Sequence, residues 1–231
     1  MSNPSADSPR ADALEALLRE RYSCRGYRPE PVPPATIERI VAIAQRTASW
    51  CNSQPWQIHV AGGATTDGLR EALGRHLASH PAAQPDFDWP EAYLGVYLDR
   101  RRACGFQLYE AAGVQRGDRA GAERQGLENF RFFGAPHVAI VTTDAKLGVY
   151  GAIDCGAWVS NFMLAARAFG VASIAQAALA SYPAFWRERL GLGADRLVVC
   201  GISFGWPDET HPANSFRTAR ATNDEVLRWI E

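Results

Sequence analysis

Apolar positions recur at helical spacing from the start of the chain. Leu14, Leu17 and Leu18 share one face, and Ser8 followed by Pro9 is a helix N-cap with proline at the first helical position, so a helix is predicted up to about Arg21. The stretch from Tyr22 to Ala35 holds four prolines and is non-helical. A second helix is expected from Pro34, where Ile37, Ile40, Val41 and Ala44 fall at i, i+3, i+4 and i+7. Trp56, Ile58 and Val60 then alternate, which predicts a strand ending at Gly62-Gly63. Leu69, Leu73 and Leu77 mark the next amphipathic helix.

The second half is more apolar. His137–Thr143 is a short uninterrupted apolar run that reads as a buried strand, and Gly148–Gly170 reads as a long helix with a glycine stop. That helix is apolar on most faces, which implies burial between other elements or between subunits. VASIAQA is a short strand, YPAFWRERLGLG a short helix ended by glycine, and RLVVCGISFG the last strand. A loop follows, and Thr222 with Glu225 forms a capping box for a closing helix. Between these halves, residues 81–134 are polar, rich in arginine and dotted with aromatics. That is too long for a structureless loop in a compact domain, so helical pieces forming an excursion over the body are expected. Interleaved helices and strands make the class α/β or α+β, with α/β-type layering, in a single domain over 1–231.

Composition narrows the function. The 24 basic and 25 acidic side chains leave a net charge of −1, which argues against a dedicated nucleic-acid or anionic-membrane binder. No apolar run approaches the roughly 20 residues of a membrane span, and the N-terminal stretch lacks an apolar signal core. Five cysteines without a CxxC pair fit reduced cytoplasmic thiols better than a disulfide framework or a zinc site.

Several patterns bear on chemistry. Gly201-Ile202-Ser203-Phe204-Gly205 matches G-x-S-x-G after a strand, which opens a serine-hydrolase reading with Ser203 as nucleophile and His211 as base. A nucleophile elbow needs a helix directly after it. Here a proline-rich loop follows, and Asp208 and His211 are crowded close behind, so a strand end with turn glycines is the favoured reading. His76 and His80 have a metal-chelating spacing but no third ligand nearby, and Arg100–Arg102 reads as a solvated basic face. Neither a dinucleotide-binding G-x-G-x-x-G nor a P-loop is present. Two arginine clusters remain: Arg21, Ser23 and Arg25 where the first helix gives way to loop, and Arg217 with Arg220 in the C-terminal tail. Guanidinium forks with a hydroxyl between them suit a phosphate, although spacing does not show that the clusters meet.

Arg21-Tyr22-Ser23-Cys24-Arg25, then Pro-Val-Pro, a helix, and Ser49-Trp50-Cys51-Asn52-Ser53-Gln54-Pro55-Trp56 together resemble the opening of the FMN-dependent nitroreductase family. FFGAPHVAIV, DCGAWVSNFMLAARAFG, AQAALASYP and NSFRTAR also have counterparts there, in the same order, and the chain looks most like the nitrobenzoate-reductase-like branch. The resemblance implies a mixed central sheet flanked by helices and an intertwined homodimer with FMN at the subunit interface. It further implies an NAD(P)H-dependent, ping-pong reduction of a flat, electron-poor aromatic acceptor, with the nicotinamide bound transiently over the flavin.

The cofactor residues it implies are Arg21, Tyr22 and Ser23 near the phosphate and ribityl chain, and Arg25 at the flavin N1/O2 edge. Ser49 and Asn52 would border the ring from the partner subunit. Gln176, Ala177 or Ala178 would offer a backbone N–H near N5, and Arg217 and Arg220 would clamp the phosphate. Ala48 and the bulky Trp50 depart from the family's usual loop. No catalytic side chain is required, because the flavin carries the reaction. A non-catalytic flavin-binding protein on the same fold is the second alternative beside the hydrolase.

Overall fold

The computed structural model describes residues 8–230. In chain order the elements are α1 (Pro9–Glu20), α2 (Pro34–Ala44), β1 (Gln57–Gly62), α3 (Ala64–Ser79), α4 (Val96–Ala111), α5 (Arg119–Leu127), β2 (His137–Asp144), α6 (Gly148–Ala168), β3 (Ala172–Gln176), α7 (Pro183–Leu190), β4 (Arg196–Gly205) and α8 (Asn223–Val226). Ser8 caps α1 with its hydroxyl, and α7 stops at left-handed Gly191, as the local signals predict. The closing helix has its capping box but ends after one turn. Its neighbours Trp229 and Ile230 have no surface to pack on, being 82% and 98% exposed.

The sheet runs in the order β1-β2-β4-β3, and every pairing is antiparallel. The mixed character expected of it is confined to one parallel bridge, Ser23 to Ser173. That bridge hangs the opening motif on the β3 edge.

β2 lies at the centre, which is why its sequence is an uninterrupted apolar run. Its alternate side chains serve two cores. Ala139 and Val141 pack with Trp158 and Phe162 of α6 and Ile40 of α2. Val138 and Ile140 pack with Leu73 of α3 and with Phe185 and Trp186 of α7. The fold is therefore a sheet between two helical layers. Among the described residues no helix is long and apolar enough to cross a membrane.

α6 buries Cys155, Trp158, Val159, Phe162, Ala165 and Ala166 on one face only. The other face leaves Val149, Tyr150 and Ile153 more than half exposed. The leucine stripe of α1 is likewise half exposed at Leu14 and Leu18.

The G-x-S-x-G run has a structural explanation that removes the hydrolase reading. β4 continues straight through it, with no elbow and no following helix. Ser203 is fully buried, and its hydroxyl donates to Gln176 Oε1 rather than facing a histidine. The glycines are there for close approach. A Cβ at Gly201 would strike the Leu179 side chain, lying 2.9 Å from its Cβ, and one at Gly205 would lie 2.6 Å from Pro136 Cδ. His76 and His80 stack on one another at 4.1 Å, and no group of three or more metal-ligating side chains occurs among the described residues.

Two stability predictions follow from these contacts. Gly201→Ala overpacks a buried strand and is expected to destabilise by about 1–3 kcal/mol in urea unfolding; an unchanged midpoint would mean that Leu179 can yield freely. The second concerns His137, which is buried, stacks on Phe204 and accepts from Val32 N–H at 2.9 Å. Burial holds its pKa below the ordinary 6.5. The neutral ring is thus favoured in the folded state, and its stabilising contribution is full above that value and lost as pH falls through the folded pKa. Stability should decline on acidification from about pH 7 to about pH 5. The decline should be shallower in His137→Gln, while His59 and His76, shifted the same way, retain part of it.

Candidate functional site

A cavity of about 550 Å³ opens between the end of α1, the opening motif, α4 and the C-terminal tail. Its walls bring together Arg21, Tyr22, Ser23 and Arg25 with Arg217 and Arg220, so the two arginine clusters of the sequence do meet. Glu15, paired with Arg19 at 2.6 Å, is the carboxylate on its rim. Among the described residues, none of Arg21, Arg25, Arg217 and Arg220 is in an ion pair. Burial, and then repulsion from Arg220, lowers the pKa of Arg21. Guanidinium groups gathered around a cavity of ligand size have the chemistry to hold an anion. Tyr22 lies beneath them, with the Arg217 guanidinium 3.8 Å from its ring centroid. Its phenol is pushed up to about 12, first by burial.

Arg25 forms the wall between this cavity and a second one of about 300 Å³. It is half-buried, with its guanidinium 5.9 Å from the Phe133 ring and 5.8 Å from the Phe216 ring. One N–H donates to Ser23 O at 3.1 Å. The second cavity is lined by Gln125, Glu128, Arg131 and Phe133 from the end of the excursion, together with Arg70 and His211. Sequence reasoning noted Phe133 within FFGAPHVAIV and His211 in the hydrolase reading but put neither at this site; Arg70, Gln125, Glu128 and Arg131 carried no signal, and only folding brings 125–133 back to Arg25. α4 contributes Cys104 to the first cavity.

Asn214 holds the site together. It is 5% exposed. Its Oδ1 accepts from Arg25 N–H at 2.7 Å, and its Nδ2 donates to Gly26 O at 2.9 Å and to Asp208 O at 2.8 Å. One amide thus joins segments 189 residues apart in sequence. Gly26 is required here because a Cβ would lie 2.5 Å from His211 Cβ.

The remaining expected residues are placed differently. Ser49 and Asn52 do not line either cavity. Their loop packs on the open face of α6, with Trp50 edge-on to Tyr150 at 4.3 Å and Trp50 N–H donating to Asp154 at 3.1 Å. Cys51, Asn52 and Gln54 there have φ of 51°, 55° and 47°. Left-handed conformations at non-glycine residues cost roughly 1–3 kcal/mol each and cluster at functional positions. Gln176 is buried, and its side chain turns inward to Ser203 and to Asn129 O, 2.9 Å away. Ala177 and Ala178 begin the turn after β3, with Ala177 exposed.

Residues 18–206 match the Nitroreductase family, and the chain belongs to that family. The C-terminal pair Arg217 and Arg220 lies beyond the matched stretch. Nitroreductase NfnB of Mycolicibacterium smegmatis is 35% identical, over 95% of this chain and 93% of its own length. A 4-nitrobenzoate reductase of a Nocardioides species is 32% identical, over 100% and 95% respectively. The crystal structure of the FMN-dependent nitroreductase NfnB from Mycobacterium smegmatis in complex with NADPH superposes with a TM-score of 0.91 at 35% identity. It covers 96% of this chain and 100% of that one.

Asn214→Ala would leave Arg25 N–H without its partner, whereas Gly26 O would keep the bond from Asp208 N–H at 3.0 Å. A loss of about 1–3 kcal/mol is expected, read from urea unfolding. A change within experimental error would show that water replaces the amide.

Proposed function

We propose that this member of the nitroreductase family is an FMN-dependent oxidoreductase that takes electrons from NAD(P)H. Its acceptors would be flat and electron-poor, nitroaromatic or quinone-like. The observation that carries this reading is the convergence of Arg21, Arg217 and Arg220, without carboxylate partners, beside the Ser23 hydroxyl on one cavity. That donor set fits the single terminal phosphate of FMN, and no dinucleotide fingerprint is present for a second half. When bound, FMN supplies the hydride chemistry.

The chain's own residues divide the work. Arg21, Arg217 and Arg220 hold the phosphate, with Ser23 toward the ribityl chain and Tyr22 as the platform under Arg217. Arg25, wedged between two aromatic rings, presents its charge where negative charge gathers at N1/O2. Gln125, Glu128 and Arg131 close the second cavity against the same edge. The backbone of Ala177 and Ala178 offers an N–H toward N5, and Gln176 holds that turn from within. No serine, histidine or cysteine is needed as a nucleophile.

The functional unit we infer is a homodimer. The half-exposed apolar face of α6 and the exposed Trp50 support a second copy packed against them. Ser49 and Asn52 lie on that face, away from their own chain's cavity, and would border the partner's flavin. Five free cysteines support a reducing, cytoplasmic setting.

The purified protein is expected to be yellow, to release FMN on denaturation and to bleach anaerobically with NADPH or NADH. Sedimentation should give twice the chain mass. FAD as the released flavin, or a stable and active monomer, would overturn the corresponding part. A yellow protein inert to both nicotinamides would favour the non-catalytic alternative.

Two variants separate holding the phosphate from tuning the flavin. Arg220→Ala should weaken FMN binding roughly ten- to hundredfold, as the loss of about 1.5–3 kcal/mol from a charge-assisted contact requires. Arg25→Gln should lower the two-electron potential, by roughly 30 mV for each 1.4 kcal/mol of differential interaction, with a smaller loss of affinity. Lost affinity at an unshifted potential would instead move Arg25 to the phosphate.

A further inference from the structure

The backbone just before β2 is unusual. Phe132, Phe133 and Gly134 have φ of 58°, 51° and 75°, a full left-handed turn. Two of the three are large aromatics, and both are buried. Glycine adopts this region freely, whereas bulky side chains persist in it only where the surroundings over-determine the backbone.

Arg70 of α3 supplies that constraint. Its Nε–H donates to Arg131 O at 2.8 Å and its Nη2 to Ala135 O at 2.8 Å, so one guanidinium spans the turn from just before it to just after. A further N–H pairs with Asp67 one helical turn earlier. Its Cζ lies over the Phe132 ring, 5.6 Å from the centroid. Inside the turn, Ala135 N–H donates to Phe132 O at 2.9 Å. The turn aims Phe133 at Arg25, and Arg131 enters the same second cavity.

We propose that Arg70 is a positioning residue for the flavin site. It holds the left-handed turn, the turn holds Phe133, and Phe133 with Phe216 holds the Arg25 guanidinium in place. This rests on the reading of the cavities as an FMN site. No other basic side chain type would serve equally: a lysine ammonium lacks the planar fork that bonds two carbonyls and stacks on a ring at once.

The test pairs Arg70→Met with Arg70→Lys, the latter keeping a charge over Phe132 should the methionine variant fold poorly. Amide hydrogen exchange of the flavin-free protein reads the turn directly. Ala135 N–H should exchange about tenfold faster or more in either variant, while central β2 amides keep their protection. In the FMN-loaded protein, Arg70→Met should lower the flavin's two-electron potential in the same direction as Arg25→Gln. The double variant should sit at the potential of Arg25→Gln alone, because the two act through one group. A purely structural Arg70 would give lower stability with an unshifted or additive potential, and that result overturns the proposal, as does unchanged exchange at Ala135. Wild-type protein that binds no FMN would instead refute the underlying reading, and it would do so before any variant is compared.

Discussion

Like charges have to be held together at this site, and the rest of the architecture is arranged around that constraint. Arg21, Arg25, Arg217 and Arg220 reach one cavity whose single carboxylate, Glu15, is paired with Arg19 instead. Such an arrangement is unfavourable until an anion arrives, so other contacts must hold the chain in place. Asn214 does so from the C-terminal side, by bonding the backbone of Arg25 and Gly26. The sheet does so from the N-terminal side, through the Ser23–Ser173 bridge and the bond from Arg28 N–H to Trp206 O at 2.9 Å. Neutral backbone and amide bonds thus carry the load, and Arg25, Arg217 and Arg220 each use only Nη1 to bond nearby groups of their own segments.

The same division appears elsewhere. Several buried or half-buried polar side chains in this chain position backbone. Gln176 connects β4 through Ser203 to the end of the excursion through Asn129. Arg70 spans the left-handed turn, and His137 receives the amide of Val32. Among the described non-glycine residues, left-handed backbone occurs in two segments, the loop of Asn52 (Cys51, Asn52 and Gln54) and the Phe132–Phe133 turn beside Arg25. Each is anchored by side chains from a neighbouring helix: Asp154 of α6 for the first, Arg70 of α3 for the second.

A single chain leaves part of its apolar surface uncovered. The helix read from sequence as apolar on most faces buries one of them internally, and Val149, Tyr150 and Ile153 remain open. The loop of Ser49 and Asn52 stands on that open face. The two halves of the expected flavin environment therefore lie on different surfaces of one protomer, as the homodimer proposed above requires.

Periodicity alone located α1, α2, α3, α6 and the four strands, because amphipathic spacing and apolar runs report which way each element faces. The opening motif, the S-x-x-N loop and the C-terminal arginine pair were legible as residues, and their order carried the family. That Arg21 and Arg25 meet Arg217 and Arg220 was not legible, since contact between segments so far apart depends on how β3 and β4 lie side by side. The G-x-S-x-G run was ambiguous in sequence, and it was resolved only by the side chains against which Gly201 and Gly205 pack. Asn214 stood in the NSFRTAR run without a role attached to it, and no pattern could reveal Arg70 or Arg131. Local spacing encodes the conformation of a segment, but a lone polar residue acquires its partners only when distant segments pack.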